Sequence, residues 1–189
     1  MTGMGKSVEI KHHVCPWWLA YTFDNPLRRL VHAPRKILGA YVKDGMRALD
    51  MGCGMGYFSI AMAGMVGPDG HVVSVDLQEK MLDVLMSRAK RAGVAAGITA
   101  VKCKEDGFEV EGVFDFALAF WVVHELANRR GFFASARKIL KEGGRLLVVE
   151  PRGHVTQEQF DLIMSEAREA GFEIIERPAV FISRAAVLG

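Results

Sequence analysis

Cysteine is scarce in this chain. Only Cys15, Cys53 and Cys103 occur, with no CxxC pair and no even-numbered framework, so a disulfide scaffold is excluded. A reducing, cytoplasmic setting is the simple expectation. An excess of one charge is lacking too. The 24 Lys and Arg nearly balance the 22 Asp and Glu, for a net charge of +2. A strong polyanion binder shows a much larger basic excess, so nucleic acid is not the expected partner. Long apolar runs are missing: the longest, Phe116 to Val123, is far too short to cross a bilayer. The opening MTGMGKSVEIKHHV lacks the apolar segment of a signal peptide. His12, His13 and Cys15 on one short segment are too little to argue a metal site, and no metal is expected. Internal repeats and low-complexity tracts are absent.

What remains is an ordinary globular composition, 50% hydrophobic and 24% charged over 189 residues, enough for one domain with a proper core. From residue 46 onward, short apolar runs alternate with amphipathic ones. MRALDMG reads as a strand, YFSIAMAGMVG as a helix ending at glycine, and HVVSVDL as a second strand. QEKMLDVLMSRAKRAG puts Met81, Leu82, Leu85, Met86 and Ala89 on one helical face. ITAVKCK is a third strand and FDFALAFWVV a fourth, apolar enough to be covered on both faces. A helix to about Leu140, a KEGG turn and the strand RLLVVE follow. Thr156 and Gln159 have capping-box spacing for a last helix, and FEIIERPAVFISRAAVL closes as two strands. The alternation predicts a doubly wound, mostly parallel α/β sheet. Residues 1–45 differ, being helix-like and rich in aromatics, with Asn25–Pro26 and Pro34 as helix starts. They read as a helical flap on a single domain whose α/β core is 46–189, and their aromatics suggest a homodimer contact.

The first strand meets the first helix at Gly52, Gly54 and Gly56. Glycine at alternate places suits neither a strand nor a helix interior. It does suit a sharp turn that brings bare backbone to a ligand at a helix start. Asp76 ends the second strand, 20 residues after Gly56. There it can accept both hydroxyls of a ribose or cap the next helix, and the two roles are compatible. The loop is GxGxG rather than the dinucleotide GxGxxG. Asp50 stands two residues before it; an anion would repel a pyrophosphate and attract an ammonium. The pattern points to an adenosine with a cationic tail.

LDMGCGMG and VVSVDLQEKML resemble the first two motifs of the class I S-adenosylmethionine-dependent methyltransferases, and the likeness runs from about Ile37 to Gly189. It implies a Rossmann-like sheet of seven strands with the last antiparallel, and S-adenosyl-L-methionine as cofactor. By the resemblance, Asp50 and Gly52 lie near the methionine moiety, with Gly54, Gly56 and Tyr57 completing the loop. Asp76 holds the ribose and Leu77 lies on the adenine. Lys104, Asp106, Gly107 and Phe108, from KEDGF, line the adenine pocket. In AFWVVHEL, Phe120 or Trp121 reaches the sulfonium, whichever of the two does not point into the core.

Methyl transfer is an in-line displacement, so the protein aligns the reactants and excludes water. A base is needed only where the acceptor must lose a proton. The ends of strands four and five and the flap should rim the acceptor. They nominate His124 and Glu150 as catalytic, and Trp17, Trp18, Tyr21, Glu125, Arg152 and His154 as substrate-side residues. His124 reads equally as a satisfied helix-start histidine, and Glu125 as a first-turn helix acid. The spellings around strands four and five are similar to small-molecule methyltransferases, the quinone and arsenite groups among them. The arsenite group uses several substrate cysteines, whereas only Cys15 is uncommitted here. A small-molecule acceptor is therefore expected, with a non-catalytic cofactor-binding module or an RNA methyltransferase as the competing readings.

Overall fold

The computed structural model describes residues 31–104, 108 and 110–189. Seven strands form one sheet: β1 (Arg47–Met51), β2 (His71–Asp76), β3 (Ile98–Lys102), β4 (Phe114–Phe120), β5 (Leu140–Pro151), β6 (Ile174–Glu176) and β7 (Ser183–Leu188). Their order is β3-β2-β1-β4-β5-β7-β6. β1 to β5 pair in parallel, whereas β7 runs antiparallel to both β5 and β6, as expected for the seven-stranded sheet. The strand order reverses between β1 and β4, the place where open α/β sheets bind ligands.

Among the described residues, five α-helices cover the sheet: α1 (Pro34–Leu38), α2 (Tyr57–Val66), α3 (Glu79–Arg91), α4 (Arg129–Ile139) and α5 (Gln157–Glu169). α2 and α3 bury Phe58, Met62, Leu82 and Leu85 with Phe116, Leu118 and Val149 on one face. α4 and α5 bury Phe132, Phe133, Phe160 and Ile163 with Leu49, Ala117 and Leu146 on the other. Two-sided burial is why β4 reads as continuously apolar. Local signals in the sequence set several boundaries. Pro34 opens α1, and the Thr156–Gln159 capping box starts α5.

Three boundaries differ from the sequence reading. β4 ends at Phe120, not at Val123, because Trp121 turns the backbone to φ +59° and a 3-10 turn, Val123–Glu125, follows. The apolar run continues past the strand because Val123 is fully buried within that turn. His124 and Glu125 therefore lie in this 3-10 turn and not at the start of the following α-helix. α4 begins only at Arg129, where the Asn128 side chain accepts the Gly131 N–H at 2.9 Å. KEGG is no separate turn but a bulge inside β5. Phe114 pairs with Leu140 and Phe116 with Arg145, so extra residues loop out on one strand, with Gly143 at φ +74°.

Candidate active site

Gly52, Gly54 and Gly56, between β1 and α2, have φ of +73°, +52° and +82°. Other residues adopt this region only at a cost. Their surroundings differ. A Cβ on Gly52 would meet Val122 at 2.6 Å, and one on Gly56 would meet Leu85 at 2.6 Å. On Gly54 it would meet nothing within 4 Å. The outer two glycines are thus needed for packing as well, while the middle one borders open space that a ligand can fill.

Asp76 closes the loop from the neighbouring strand. Its Oδ2 accepts the Gly54 N–H at 2.9 Å and its Oδ1 accepts the Gln78 N–H at 2.9 Å. The carboxylate therefore ties down the glycine loop and the start of α3 at once. Burial raises its pKa, and the amides of Gln78, Gly54 and Leu77 pull it partly back. Asp50 is buried, and its Oδ2 accepts the Ser59 hydroxyl at 2.5 Å. Asp50 is level with Ser74 in the β1–β2 ladder, so Asp76, two residues further, points to the same face. Two acids thus flank one bare loop. Burial, then Asp50 and Asp76, push the Cys53 thiol well up. Burial, then Asp76, raise the Cys103 thiol. Neither is an activated nucleophile.

Lys104 is exposed just beyond β3, and Phe108 packs edge-on against Phe132 of α4 at 5.4 Å. Asp106 and Gly107 lie outside the described residues, as do Trp17, Trp18, Tyr21, His12, His13, Cys15 and the Asn25–Pro26 helix start. At the end of β4, Phe120 is buried with its ring 4.4 Å from Phe58. The Trp121 indole N–H donates to Ser183 Oγ at 3.1 Å. The buried His32 ring meets both edge-on, at 5.3 Å from Phe120 and 5.1 Å from Trp121. Its Nε2 lies 3.0 Å from the Phe181 carbonyl oxygen, and the Tyr57 hydroxyl donates to the His32 carbonyl at 3.1 Å.

On the β5 side, Glu150 is fully buried. Its Oε1 accepts the Val123 N–H at 2.9 Å, and its Oε2 pairs with His124 Nδ1. Burial alone would lower the His124 pKa, but the Glu150 hydrogen bond and charge, aided by Glu125, outweigh it and the net direction is up. The exposed His154 ring lies 5.9 Å from that of His124. Arg152 is exposed and donates from Nε to the Ser183 carbonyl at 2.9 Å, which ties it to β7. Sequence reasoning missed Ser59, His32 and Ser183. Ser59 had a signal, a lone serine in the otherwise apolar helix YFSIAMAGMV. The other two act through partners far away in the chain, and nothing local marks them.

A loop of left-handed glycines, closed by a carboxylate from the next strand at the switch point of a seven-stranded sheet, defines a nucleoside-binding α/β protein. The methyltransferase domain family matches residues 42–179, and the chain belongs to that family, the class I S-adenosylmethionine-dependent methyltransferases. It is 28% identical to a ubiquinone/menaquinone biosynthesis C-methyltransferase UbiE of Pasteurella multocida, over 58% of this chain and 41% of the relative. It is 31% identical to a ubiquinone biosynthesis O-methyltransferase of Rhizobium johnstonii, over 72% of this chain and 52% of the relative. The chain thus spans about half the length of the curated relatives it matches. Its fold is similar to that of a SAM-dependent methyltransferase from Aquifex aeolicus, with TM-score 0.81, 23% identity, and 93% and 98% of the two chains covered. Among the described residues, no helix is long and apolar enough to cross a membrane.

Proposed function

We propose that this chain transfers a methyl group from S-adenosylmethionine to a small-molecule acceptor. The observation that carries this reading is the cradle at Gly54. Its backbone borders open space, and Asp50 and Asp76 flank it on one face of the sheet. A carboxylate at Asp76 suits a ribose diol, and one at Asp50 suits an ammonium. When bound, S-adenosylmethionine supplies a methyl group activated by a positively charged sulfur. The chain's own part is to bind, orient and exclude water. Trp121, only partly buried, offers aromatic surface toward a cation at the end of β4, whereas the Phe120 ring is buried against Phe58. Leu77, directly after Asp76, and Lys104 and Phe108, beyond β3, are our candidates for the adenine side.

His124, held by Glu150, is the group suited to take a proton from the acceptor. Its Nδ1 is committed to the buried carboxylate, which fixes the ring. The same carboxylate stabilises the imidazolium once the proton has arrived. Glu125 and the His154 ring stand beside His124, and with Arg152 they are the candidates for the acceptor side. The two ubiquinone-biosynthesis relatives support a small-molecule acceptor. Calorimetric titration with S-adenosylhomocysteine is the test. The wild-type chain binds it, and Asp76→Ala lowers the affinity by at least about tenfold, in line with losing hydrogen bonds to a charged group. Unchanged affinity in that variant would sink the assignment.

A further inference from the structure

A buried polar layer lies beneath the glycine loop, made by Asp50, Ser59 and Ser74, with exposures of 2%, 0% and 0%. The three are not equivalent. Ser59 donates to Asp50 Oδ2 at 2.5 Å. Ser74, level with Asp50 on the adjacent strand, has no hydrogen-bond partner for its Oγ among the described residues. Among the described residues, Cys53 and Asp76 are titratable groups beside Asp50, and neither stabilises a negative charge there.

Resting on the cofactor reading above, we propose that Ser59 is the positioning residue that aims the Asp50 carboxylate at the ammonium of the cofactor's amino-acid tail. Burial favours the neutral form of a carboxyl group, and a donated hydrogen bond favours the charged form. Only the charged form attracts an ammonium. The Ser59 bond also holds one oxygen of Asp50 in place, which restrains the rotation of the carboxylate. Ser59 stands in α2 three residues after Gly56. The helix that leaves the glycine loop thus carries the donor that orients the acid entering it.

Two probes separate this role from a structural one. S-adenosylhomocysteine has the amino-acid tail, and 5′-methylthioadenosine has the adenosine and sulfur without it. In calorimetry, Ser59→Ala weakens S-adenosylhomocysteine by about tenfold and leaves 5′-methylthioadenosine within about twofold. Ser74→Ala leaves both affinities unchanged. Should Ser59→Ala not fold, Ser59→Cys, a weaker donor of similar shape, carries the same comparison with the same selective loss. Equal weakening of both probes, or full retention of S-adenosylhomocysteine, overturns the role of Ser59. A wild-type chain that binds neither probe overturns the cofactor reading itself.

Discussion

Gly54 donates its backbone N–H to the Asp76 carboxylate at 2.9 Å. The middle of the glycine loop is thereby fixed to the end of the neighbouring strand before any ligand is involved. The same carboxylate accepts the Gln78 N–H at the start of α3, so one side chain holds both the loop and the helix start.

The three glycines should separate when mutated. Gly54→Ala adds a methyl group to open space, so its cost is the strain of φ +52°, about 1–2 kcal/mol. Gly56→Ala carries similar strain and also drives a Cβ to 2.6 Å from Leu85, which adds roughly 1–3 kcal/mol of overpacking. Thermal unfolding should show a modest drop in Tm for Gly54→Ala and a clearly larger one for Gly56→Ala. Both should lose S-adenosylhomocysteine affinity. If Gly54→Ala binds as tightly as the wild type, the cradle is not where the ligand lies.

His124 gives a pH signature of definite sign. Its folded pKa is raised, because Glu150 and Glu125 outweigh the burial that alone would lower it. The stabilisation from the charged pair is fully present below the ordinary histidine value of about 6.5, and fades as pH rises through the raised folded value. Wild type should exceed His124→Gln in Tm most at mildly acid pH, with the gap closing on the alkaline side. The His154 ring packs edge-on beside that of His124. The rate of methyl transfer should run the other way. It should climb as the imidazole loses its proton, and the climb should vanish in His124→Gln. A stability gap that widens with pH would contradict the assignment.

Much of this was legible in the sequence because the signals are local. The glycine alternation, Asp76 at a strand end, Pro34 at a helix start and the Thr156–Gln159 box each depend on residues within a turn or two of one another. The sheet class followed from strand–helix alternation. What could not be read depends on contacts across the fold. Trp121 leaves the strand although its neighbours are as apolar as those before it, because Val123 finds burial in a turn instead. The KEGG segment falls inside β5 because Leu140 before it and Arg145 after it both pair with β4, which local turn preference does not register. His32 reaches Phe181, 149 positions away, and no spacing rule connects them.

Trp121 and Ile182 are the two non-glycine residues with positive φ among those described, at +59° and +48°. Ser183, next to Ile182, takes the indole N–H of Trp121. A tryptophan in the left-handed region costs about 1–2 kcal/mol and persists only where its surroundings enforce it. Three contacts do so here: the Trp121 N–H on Val149 O at 2.7 Å, the indole on Ser183, and the His32 ring. Ser183→Ala should therefore cost about 1 kcal/mol in urea denaturation, the worth of one net hydrogen bond. Truncating the tryptophan gives a sharper test. Both Trp121→Ala and Trp121→Gly lose the ring packing, but only alanine retains the strain. The glycine variant should be the more stable of the two by about 1 kcal/mol, the reverse of the usual order in ordinary backbone. An alanine variant as stable as the glycine one, or more so, would mean that the ring contacts, not the backbone, set the conformation at the end of β4.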